Sequence, residues 1–342
     1  MPEVSISDLL AGISEAEVTT TTINLRGLNI HVQMCGGTGP ALLMYNGAFA
    51  EVDLWKSLLP YLKGFRIIMF DPPGIGHSQM SVLPMNMFAL AELGTLVLDF
   101  LDIEKAHILG VSFGGATAQT MALLHPRHVD KVVLVSTSYG GFAKPGKLKS
   151  FMHFVNPWSY KPGRVEKVAG ELFGGRFREE PELITSFDMN KPSSIRAAMY
   201  RMAPLMGWTS LPWLWAIRKE TLIVGGDDDP VTPLFNHKVM AKCIPNSHLH
   251  VVRDGGHMVL VDSPERVGPV ISKFLREGLA AVKAIDVKKA EAAKKAEAAK
   301  KAQAKKEPAK SASPPKDATP PKSATAAPST DAAKAPEGEG KP

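Results

Sequence analysis

The sequence predicts an α/β protein in which an open, mostly parallel sheet carries helices on both faces. The first observation is a series of short segments that are almost continuously apolar, as strands buried on both faces are. The second is that helix-like segments separate most of these strands and supply the crossovers that parallel pairing needs. The third is one long spacing, residues 137–220, which exceeds the length of a crossover and predicts an insertion.

Eight strands are predicted, and the first two form a hairpin. Residues 19–25 and 28–34 flank the pair Arg26-Gly27 and predict antiparallel pairing. The other six strands are shorter and follow the buried, parallel pattern. They span residues 41–45, 66–70, 107–111, 132–136, 221–225 and 248–252.

The insertion is predicted to form a cap, residues 139–216, above the carboxyl ends of the strands. It divides the core into residues 19–138 and 217–282. Most of its aromatic side chains are expected to form a small core of its own. A cap this short has little interior, and each aromatic can bury about 150 to 250 Å². Some of them are therefore expected to face the cleft or the outside as an adaptable apolar surface. The cap holds four of the five tryptophans, Trp158, Trp208, Trp213 and Trp215.

Length and composition favour one large globular domain. The chain has 342 residues and is 44% apolar, which is enough for a sizeable core. Two cysteines, Cys35 and Cys243, provide neither a disulfide framework nor metal-ligand spacing and favour a reducing compartment. Residues 1–18 are expected to be a leader of modest helical character without a secretory signal. No apolar stretch of the sequence is expected to span a bilayer. These features predict a cytoplasmic protein without a metal or cofactor.

The last segment, residues 283–342, differs in kind from the body. Residues 287–342 hold 13 lysines against 7 acidic residues, so they account for the whole net charge of +6. The unit Lys-Lys-Ala-Glu-Ala-Ala occurs at 288–293 and again at 294–299, which predicts a marginal helix without an apolar face. The proline-rich part from residue 307 is expected to be disordered. Two interpretations stay open, a solvated spacer and a contact with a polyanion such as DNA or an acidic surface.

The sequence Gly110-Val111-Ser112-Phe113-Gly114 has the form of a nucleophile elbow. It follows an apolar, strand-like run and precedes a helix-like run, which is the context that such an elbow requires. Its glycines leave room for a strained turn that exposes the serine hydroxyl above the sheet. Ser112 is therefore the candidate nucleophile.

A serine hydroxyl needs a base that a third group orients, and the chain order Ser, Asp, His is present. Asp229 follows a predicted strand and is the chosen acid; Asp227 and Asp228 are expected to cap the loop or to face water. His257 follows the last strand and the glycine pair 255–256, which lets the loop bring its imidazole over the sheet edge. His257 is the candidate general base.

Acyl transfer also needs preorganised N–H donors for the oxyanion. The first is expected to be the backbone N–H of Phe113, directly after the nucleophile. The second is expected from the loop after the third strand, which opens Asn46-Gly47-Ala48. Ala48 is the chosen donor, and Gly47 permits the bend. Asn46 stands where related enzymes often have histidine, and this makes the support of the loop an open question.

The chain resembles the intracellular poly(3-hydroxyalkanoate) depolymerases, in particular those that act on medium-chain-length polyesters. The resemblance covers residues 25–280 and implies an α/β-hydrolase fold, a triad at Ser112, Asp229 and His257, and hydrolysis of polyester at the surface of storage granules. Two departures are Phe113, where tryptophan is expected, and the lysine-rich tail. The matching stretches are 70–76, 110–116, 173–178, 181–183, and 207–210 leading through Trp213 to 226–230.

The substrate-binding candidates are Asn46, Gly47, Trp208 and Trp213. Besides the esterase, two other functions are kept open. One is a 3-hydroxyacyl transferase of the same fold, which differs only in its second nucleophile. The other is a granule-tethering protein with a vestigial hydrolase body. A polyester synthase is disfavoured because it prefers cysteine at the position of Ser112.

Overall fold

The computed structural model describes residues 18–48, 50–161, 163–186 and 201–285. The chain divides into two units, Met1–Ala290 and Glu291–Pro342, and all of the described residues lie in the first. The expectations for the leader and for the lysine-rich repeats fall outside the described residues.

The eight predicted strands are confirmed as one sheet, in the order β1-β2-β4-β3-β5-β6-β7-β8. β2 pairs antiparallel with β1 and with β4, and the remaining neighbours pair in parallel. The mostly parallel arrangement places the carboxyl ends of β3 to β8 along one edge of the sheet. The strands are β1 Thr19–Leu25, β2 Leu28–Gly36, β3 Ala41–Tyr45, β4 Arg66–Phe70, β5 Ala106–Val111, β6 Val129–Val135, β7 Thr221–Gly226 and β8 Ser247–Val252.

Seven α-helices have both of their ends within the described residues, and helices pack on both faces of the sheet. They are α1 Met87–Phe100, α2 Phe113–Leu124, α3 Leu148–Val155, α4 Val165–Phe173, α5 Leu234–Cys243, α6 Val259–Asp262 and α7 Pro264–Glu277. Short 3-10 helices complete the connections; they are Val52–Ser57, Leu59–Tyr61, Pro157–Tyr160, Gly175–Arg178, Pro181–Ser186, Ala203–Leu205 and Leu211–Ala216.

Strand β3 shows why the sheet has a core on each face. All five of its residues are buried, and alternate side chains point to opposite faces. Leu42 and Met44 join the cluster that contains α4, α6 and α7, whereas Leu43 and Tyr45 join the cluster that contains α1, α2 and α5. Burying one such side chain stabilises the fold by about 1.5 to 3 kcal/mol. The nearly continuous apolar pattern of the parallel strands follows from this two-sided burial.

The insertion is the chain between β6 and β7, and it carries α3, α4 and five of the 3-10 helices. Its aromatic side chains do not form a separate core, because buried ones such as Phe173, Phe177 and Tyr139 join the two clusters that flank the sheet. Trp208 is buried, whereas Trp158, Trp213 and Trp215 are each more than half exposed. No helix in the described part of the chain is long and apolar enough to cross a membrane.

Candidate active site

Ser112 stands in the turn between β5 and α2. Its backbone has φ 52° and ψ −114°, a region that non-glycine residues rarely adopt. Its glycine neighbours explain how the turn fits. A Cβ at Gly110 would lie 2.2 Å from the carbonyl oxygen of Gly114, and one at Gly114 would lie 2.0 Å from that of Tyr45. Only glycine allows this approach, and the sequence pattern therefore has a steric cause.

Hydrogen bonds with the last residue of β6 and with Thr137, two residues beyond it, hold the strained turn in place. The Ser112 N–H donates to the carbonyl of Val135 at 2.9 Å, and the Thr137 hydroxyl donates to the Ser112 carbonyl at 2.7 Å. Gly115 provides the space for Thr137, because a Cβ there would lie 2.5 Å from that side chain. The backbone that carries the serine is therefore fixed from two sides, which leaves its hydroxyl to face the neighbouring imidazole.

The three side chains chosen from the sequence lie in one hydrogen-bonded row. His257 Nε2 is 3.0 Å from the Ser112 hydroxyl oxygen, and His257 Nδ1 is 2.9 Å from Asp229 Oδ2. A carboxylate at Nδ1 favours the tautomer with its proton on Nδ1. Nε2 is then free to accept the serine proton, which is the arrangement that nucleophilic catalysis needs.

The loop after β7 prepares Asp229 as an ionised acceptor. Its Oδ1 accepts from the backbone N–H groups of Val231 and Thr232, both at 2.8 Å, and its Oδ2 accepts from the Thr232 hydroxyl at 2.6 Å. Burial by itself would raise the pKa of the Asp229 carboxyl, but the His257 imidazole and the hydrogen bonds outweigh burial and hold that pKa below its usual range. A buried negative charge therefore faces the imidazole.

The two neighbouring aspartates are engaged elsewhere. Asp228 pairs with Arg178, and Asp227 accepts the backbone N–H of Asp254 at 2.6 Å. Of the three acids in the loop, only Asp229 contacts His257 through its carboxylate.

His237, in α5, is a buried group near the triad that sequence reasoning missed. Burial lowers its pKa to about 4, so the ring is neutral near pH 7. Its Nε2 accepts the backbone N–H of Thr137 at 3.2 Å. Gly225 gives the ring its space, since a Cβ there would lie 2.8 Å from it. This neutral imidazole adds no second positive charge beside Asp229, and no local motif in the sequence marks it.

A single carboxylate oxygen holds both ends of the loop that carries Ala48. Asp71 Oδ1 accepts from Asn46 Nδ2 and from the N–H of Val52, both at 3.1 Å. The Trp55 indole N–H donates to Asn46 Oδ1 at 2.6 Å. Asn46 thus supports this loop with its side chain. Asp71 follows β4 directly and lies in the stretch 70–76 that carries the family resemblance, and these are the two signals that the sequence offers for it.

A mostly apolar cavity of about 560 Å³ lies against Ser112 and His257. Ala48 and Phe113, the residues chosen as oxyanion donors, also line it, as does Gly47. Phe113 is the first residue of α2, where backbone N–H groups have no partner within the helix. The remaining lining is mainly aliphatic and aromatic and includes Ala50, Leu54, Leu148, Phe151, Phe154, Phe173, Met202, Leu205, Val231 and Met258.

Three of the four substrate-binding candidates lie outside this cavity. Asn46 is buried and hydrogen-bonded as described above. Trp208 is buried against Phe113, with its indole N–H on the Thr120 hydroxyl at 3.1 Å. Trp213 lies on a separate surface groove. Gly47 alone of the four lines the cavity. Within the described ranges, no group of three or more His, Cys, Asp or Glu residues could hold a metal ion.

Asp71 is expected to make stability depend on pH. Burial, together with the nearby charge of Glu51, raises the pKa of its carboxyl to about 7. Between about pH 4 and pH 7 the folded state therefore holds a proton on Asp71 that the unfolded state has released. The protonated carboxyl stabilises the fold in acid, and this stabilisation is lost as pH rises through 7. The Asp71→Asn variant has no carboxyl to ionise at this position, so it does not lose stability in this way. The free energy of unfolding of the variant relative to the parent should therefore rise by up to about 3 kcal/mol between pH 5 and pH 8.

Urea unfolding of both proteins at the two pH values measures this difference. Asp102→Asn, the same change at an exposed aspartate, serves as the control. Parallel pH profiles for the parent and Asp71→Asn would contradict the prediction.

Comparison with known proteins agrees with this architecture. Residues 40–264 match the family model of the alpha/beta hydrolase fold. A poly(3-hydroxyalkanoate) depolymerase from Ectopseudomonas oleovorans is 37% identical over 242 residues, which cover 69% of this chain and 84% of that protein. A 2-hydroxymuconate semialdehyde hydrolase from Pseudomonas sp. strain CF600 is 28% identical, covering 82% of this chain and 96% of the relative.

Solved structures share the fold at lower sequence identity. The enol-lactonase from Burkholderia xenovorans LB400 superposes with a TM-score of 0.66 at 19% identity, covering 75% of this chain and 100% of that one. A meta-cleavage product hydrolase from Pseudomonas fluorescens IP01 gives a TM-score of 0.64 at 22% identity, covering 76% of this chain and 98% of that one. At these identities the likeness is one of fold.

Proposed function

Because the chain belongs to the alpha/beta hydrolase family and is a homologue of a poly(3-hydroxyalkanoate) depolymerase, we propose that it hydrolyses the ester bonds of such polyesters. The observation that carries the proposal is the meeting of Ser112, His257 and Asp229 at the wall of an apolar cavity. An activated nucleophile beside a water-poor site for the acyl group suits the hydrolysis of an apolar ester.

In the proposed reaction Ser112 attacks the ester carbonyl while His257 takes its proton. The backbone N–H groups of Phe113 and Ala48 hold the oxyanion, and Asp229 stabilises the imidazolium that forms. The alcohol end of the polymer leaves with the proton from His257. Water, activated by the same imidazole, then releases the 3-hydroxy acid from Ser112.

The cavity gives the acyl group its place. Of the side chains that line it, only Ser112, His257 and Lys147 bring hydroxyl, imidazole or ammonium groups. An alkyl side chain of the monomer would displace water from the aromatic and aliphatic wall, which favours its binding. Leu148 and Phe151 both line the cavity and are more than half exposed, so the apolar wall continues to the protein surface. A polymer chain could enter over this edge.

The direct test uses amorphous granules of short-chain and of medium-chain polyester. Incubation with the purified protein should release 3-hydroxy acids or their oligomers, identified by mass spectrometry, from at least one of the two. Parallel reactions with an added alcohol or thiol distinguish the acyltransferase, which would yield new esters or thioesters in place of the acids. Granules that release no acid under any of these conditions would contradict the proposal.

A shortened chain that ends at residue 286 distinguishes the esterase from the tethering alternative. The esterase proposal expects this chain to hydrolyse soluble esters at the rate of the full chain, because the cavity and the triad lie in residues before 286. Granule association of the two chains is measured by sedimentation with the polymer. Inactivity of the full chain on every ester, together with granule binding that depends on residues 287–342, would favour tethering.

A further inference from the structure

One segment of the insertion touches both loops that carry the proposed acid and base. It is Phe173-Gly174-Gly175-Arg176-Phe177-Arg178, here called the glycine-arginine segment. It starts at the last residue of α4 and ends with the 3-10 helix Gly175–Arg178. None of its residues touches the reacting atoms of the proposed mechanism. Phe173 lines the cavity, and the other five residues do not line it.

On one side the segment packs backbone to backbone against the loop of the base. The His257 N–H donates to the Phe173 carbonyl at 2.6 Å. A Cβ at Gly256 would lie 2.3 Å from that same carbonyl oxygen, and a Cβ at Gly175 would lie 2.4 Å from the Gly256 nitrogen. The two backbone segments approach this closely only because Gly175 and Gly256 carry no side chain. The backbone position of His257 is therefore set by the insertion.

On the other side the segment holds the residue next to the acid. The Gly175 N–H donates to Asp228 Oδ2 at 2.9 Å, and the Arg178 guanidinium binds both carboxylate oxygens, at 2.6 Å and 3.0 Å. A Cβ at Gly174 would lie 2.1 Å from the Asp228 carbonyl oxygen. Asp229 is the next residue in the chain, so the position of its backbone depends on this contact.

A third anchor fixes the helix that follows the base. Arg176 Nη1 donates to the Asp262 carbonyl, the last residue of α6, at 2.6 Å, and its guanidinium is held in turn by the Glu180 carboxylate. The loop with His257 is thereby attached to the segment both at His257 and at the end of α6.

We propose that the glycine-arginine segment positions the acid and base loops relative to each other, with Gly175 and Arg178 as its positioning residues. The inference rests on the proposed hydrolysis, because it assigns the geometry of the Ser112, His257 and Asp229 row to this segment. Hydrogen bonds of 2.9 Å and 3.0 Å tolerate little displacement, and a shift of about 1 Å can cost about 100-fold in rate. Arg178 and Asp228 are each more than a third exposed, so their ion pair adds little to overall stability.

Gly175→Ala tests the close approach, with Gly163→Ala as its matched control. Both glycines belong to the insertion and have positive φ, +54° and +74°, so both variants carry the same kind of backbone strain. Only at Gly175 does the new Cβ meet other atoms; at Gly163 nothing lies within 4 Å. The measurements are the kcat for a soluble chromogenic ester per active site titrated with a serine-directed phosphonate, the rate of phosphonate labelling, and the melting temperature.

We expect Gly175→Ala to lower both kcat per titrated site and the labelling rate by about tenfold or more, with KM changing far less. Gly163→Ala should stay within about threefold of the parent in both, whatever its melting temperature. A Gly175→Ala protein that melts earlier but keeps the parental kcat per titrated site and labelling rate would overturn the proposal, because that pattern belongs to a merely structural role.

Arg178→Met provides a second variant in case Gly175→Ala does not fold. Arg26→Met is its control, because Arg26 forms an exposed pair with Glu92 at 2.7 Å, far along the chain from the triad. A fall of about threefold or more in kcat per titrated site for Arg178→Met, without such a fall for Arg26→Met, supports the proposal. Equal kcat per titrated site in the two variants overturns it. A parent protein that neither reacts with the phosphonate nor hydrolyses the ester would instead overturn the proposed function, and the positioning role with it.

Discussion

Ser112→Ala should leave a folded protein that has lost ester hydrolysis by a factor of about 10⁴ to 10⁶. The substitution removes the only hydroxyl within hydrogen-bond distance of His257 Nε2 among the described contacts. The fold should survive because the elbow is held through the backbone of residue 112, by bonds to Val135 and from Thr137. The change is measured as kcat/KM on a soluble ester and as the loss of covalent phosphonate labelling by mass spectrometry.

Ser247→Ala is the matched control for this experiment. Ser247 begins β8, and its hydroxyl donates to backbone carbonyls of α5 and its C-cap, away from the cavity. Turnover within about threefold of the parent is expected for it. Turnover and labelling that persist in Ser112→Ala would refute the assignment of the nucleophile.

Asp229→Asn is expected to lower kcat by about 10⁴ with little effect on KM. The surroundings decide how the new amide is oriented. Oδ1 accepts two backbone N–H groups, from Val231 and Thr232, so the amide oxygen must stay there. The NH₂ group then takes the place of Oδ2 and donates to His257 Nδ1. The imidazole is driven into the tautomer with its proton on Nε2, which cannot accept from Ser112.

Asp227→Asn tests whether the effect belongs to this acid among the three. Asp227 accepts a single backbone N–H through Oδ1, and an asparagine can do the same. Its kcat should therefore remain within about threefold of the parent. Steady-state kinetics over a range of pH compare the two variants. A large loss for Asp227→Asn and a small one for Asp229→Asn would reverse the choice of acid.

The strands could be predicted because their signal is local. Leu42, Leu43 and Met44 are apolar in sequence since each faces one of the two cores of the sheet, and no distant residue is needed to recognise such a run. The elbow is local for the same reason. Gly110 and Gly114 are required by contacts within the strand, turn and helix that they flank.

The supports of the site could not be predicted in this way. Asp71 holds Asn46 and Val52, which are 25 and 19 residues away in the chain. Arg178 and Asp228 are 50 residues apart. The resemblance to the depolymerases singled out the glycine-arginine segment, but no pattern within it indicates that it contacts the loops of Asp229 and His257.

Sequence alone determined where the eight strands lie along the chain and that the sheet is buried on both faces. It also determined the three side chains chosen as nucleophile, acid and base. Each of these depends on periodicity, on glycine at a turn or on chain order, which are properties of neighbouring residues. The tertiary structure decided which polar groups lie within hydrogen-bond distance of one another. It gave Asn46 a supporting contact in place of a substrate contact, and it placed Asp71, His237 and the glycine-arginine segment around the site. Hydrogen bonds and close backbone contacts act through space over a few ångströms, so they are specified only when distant segments have packed together.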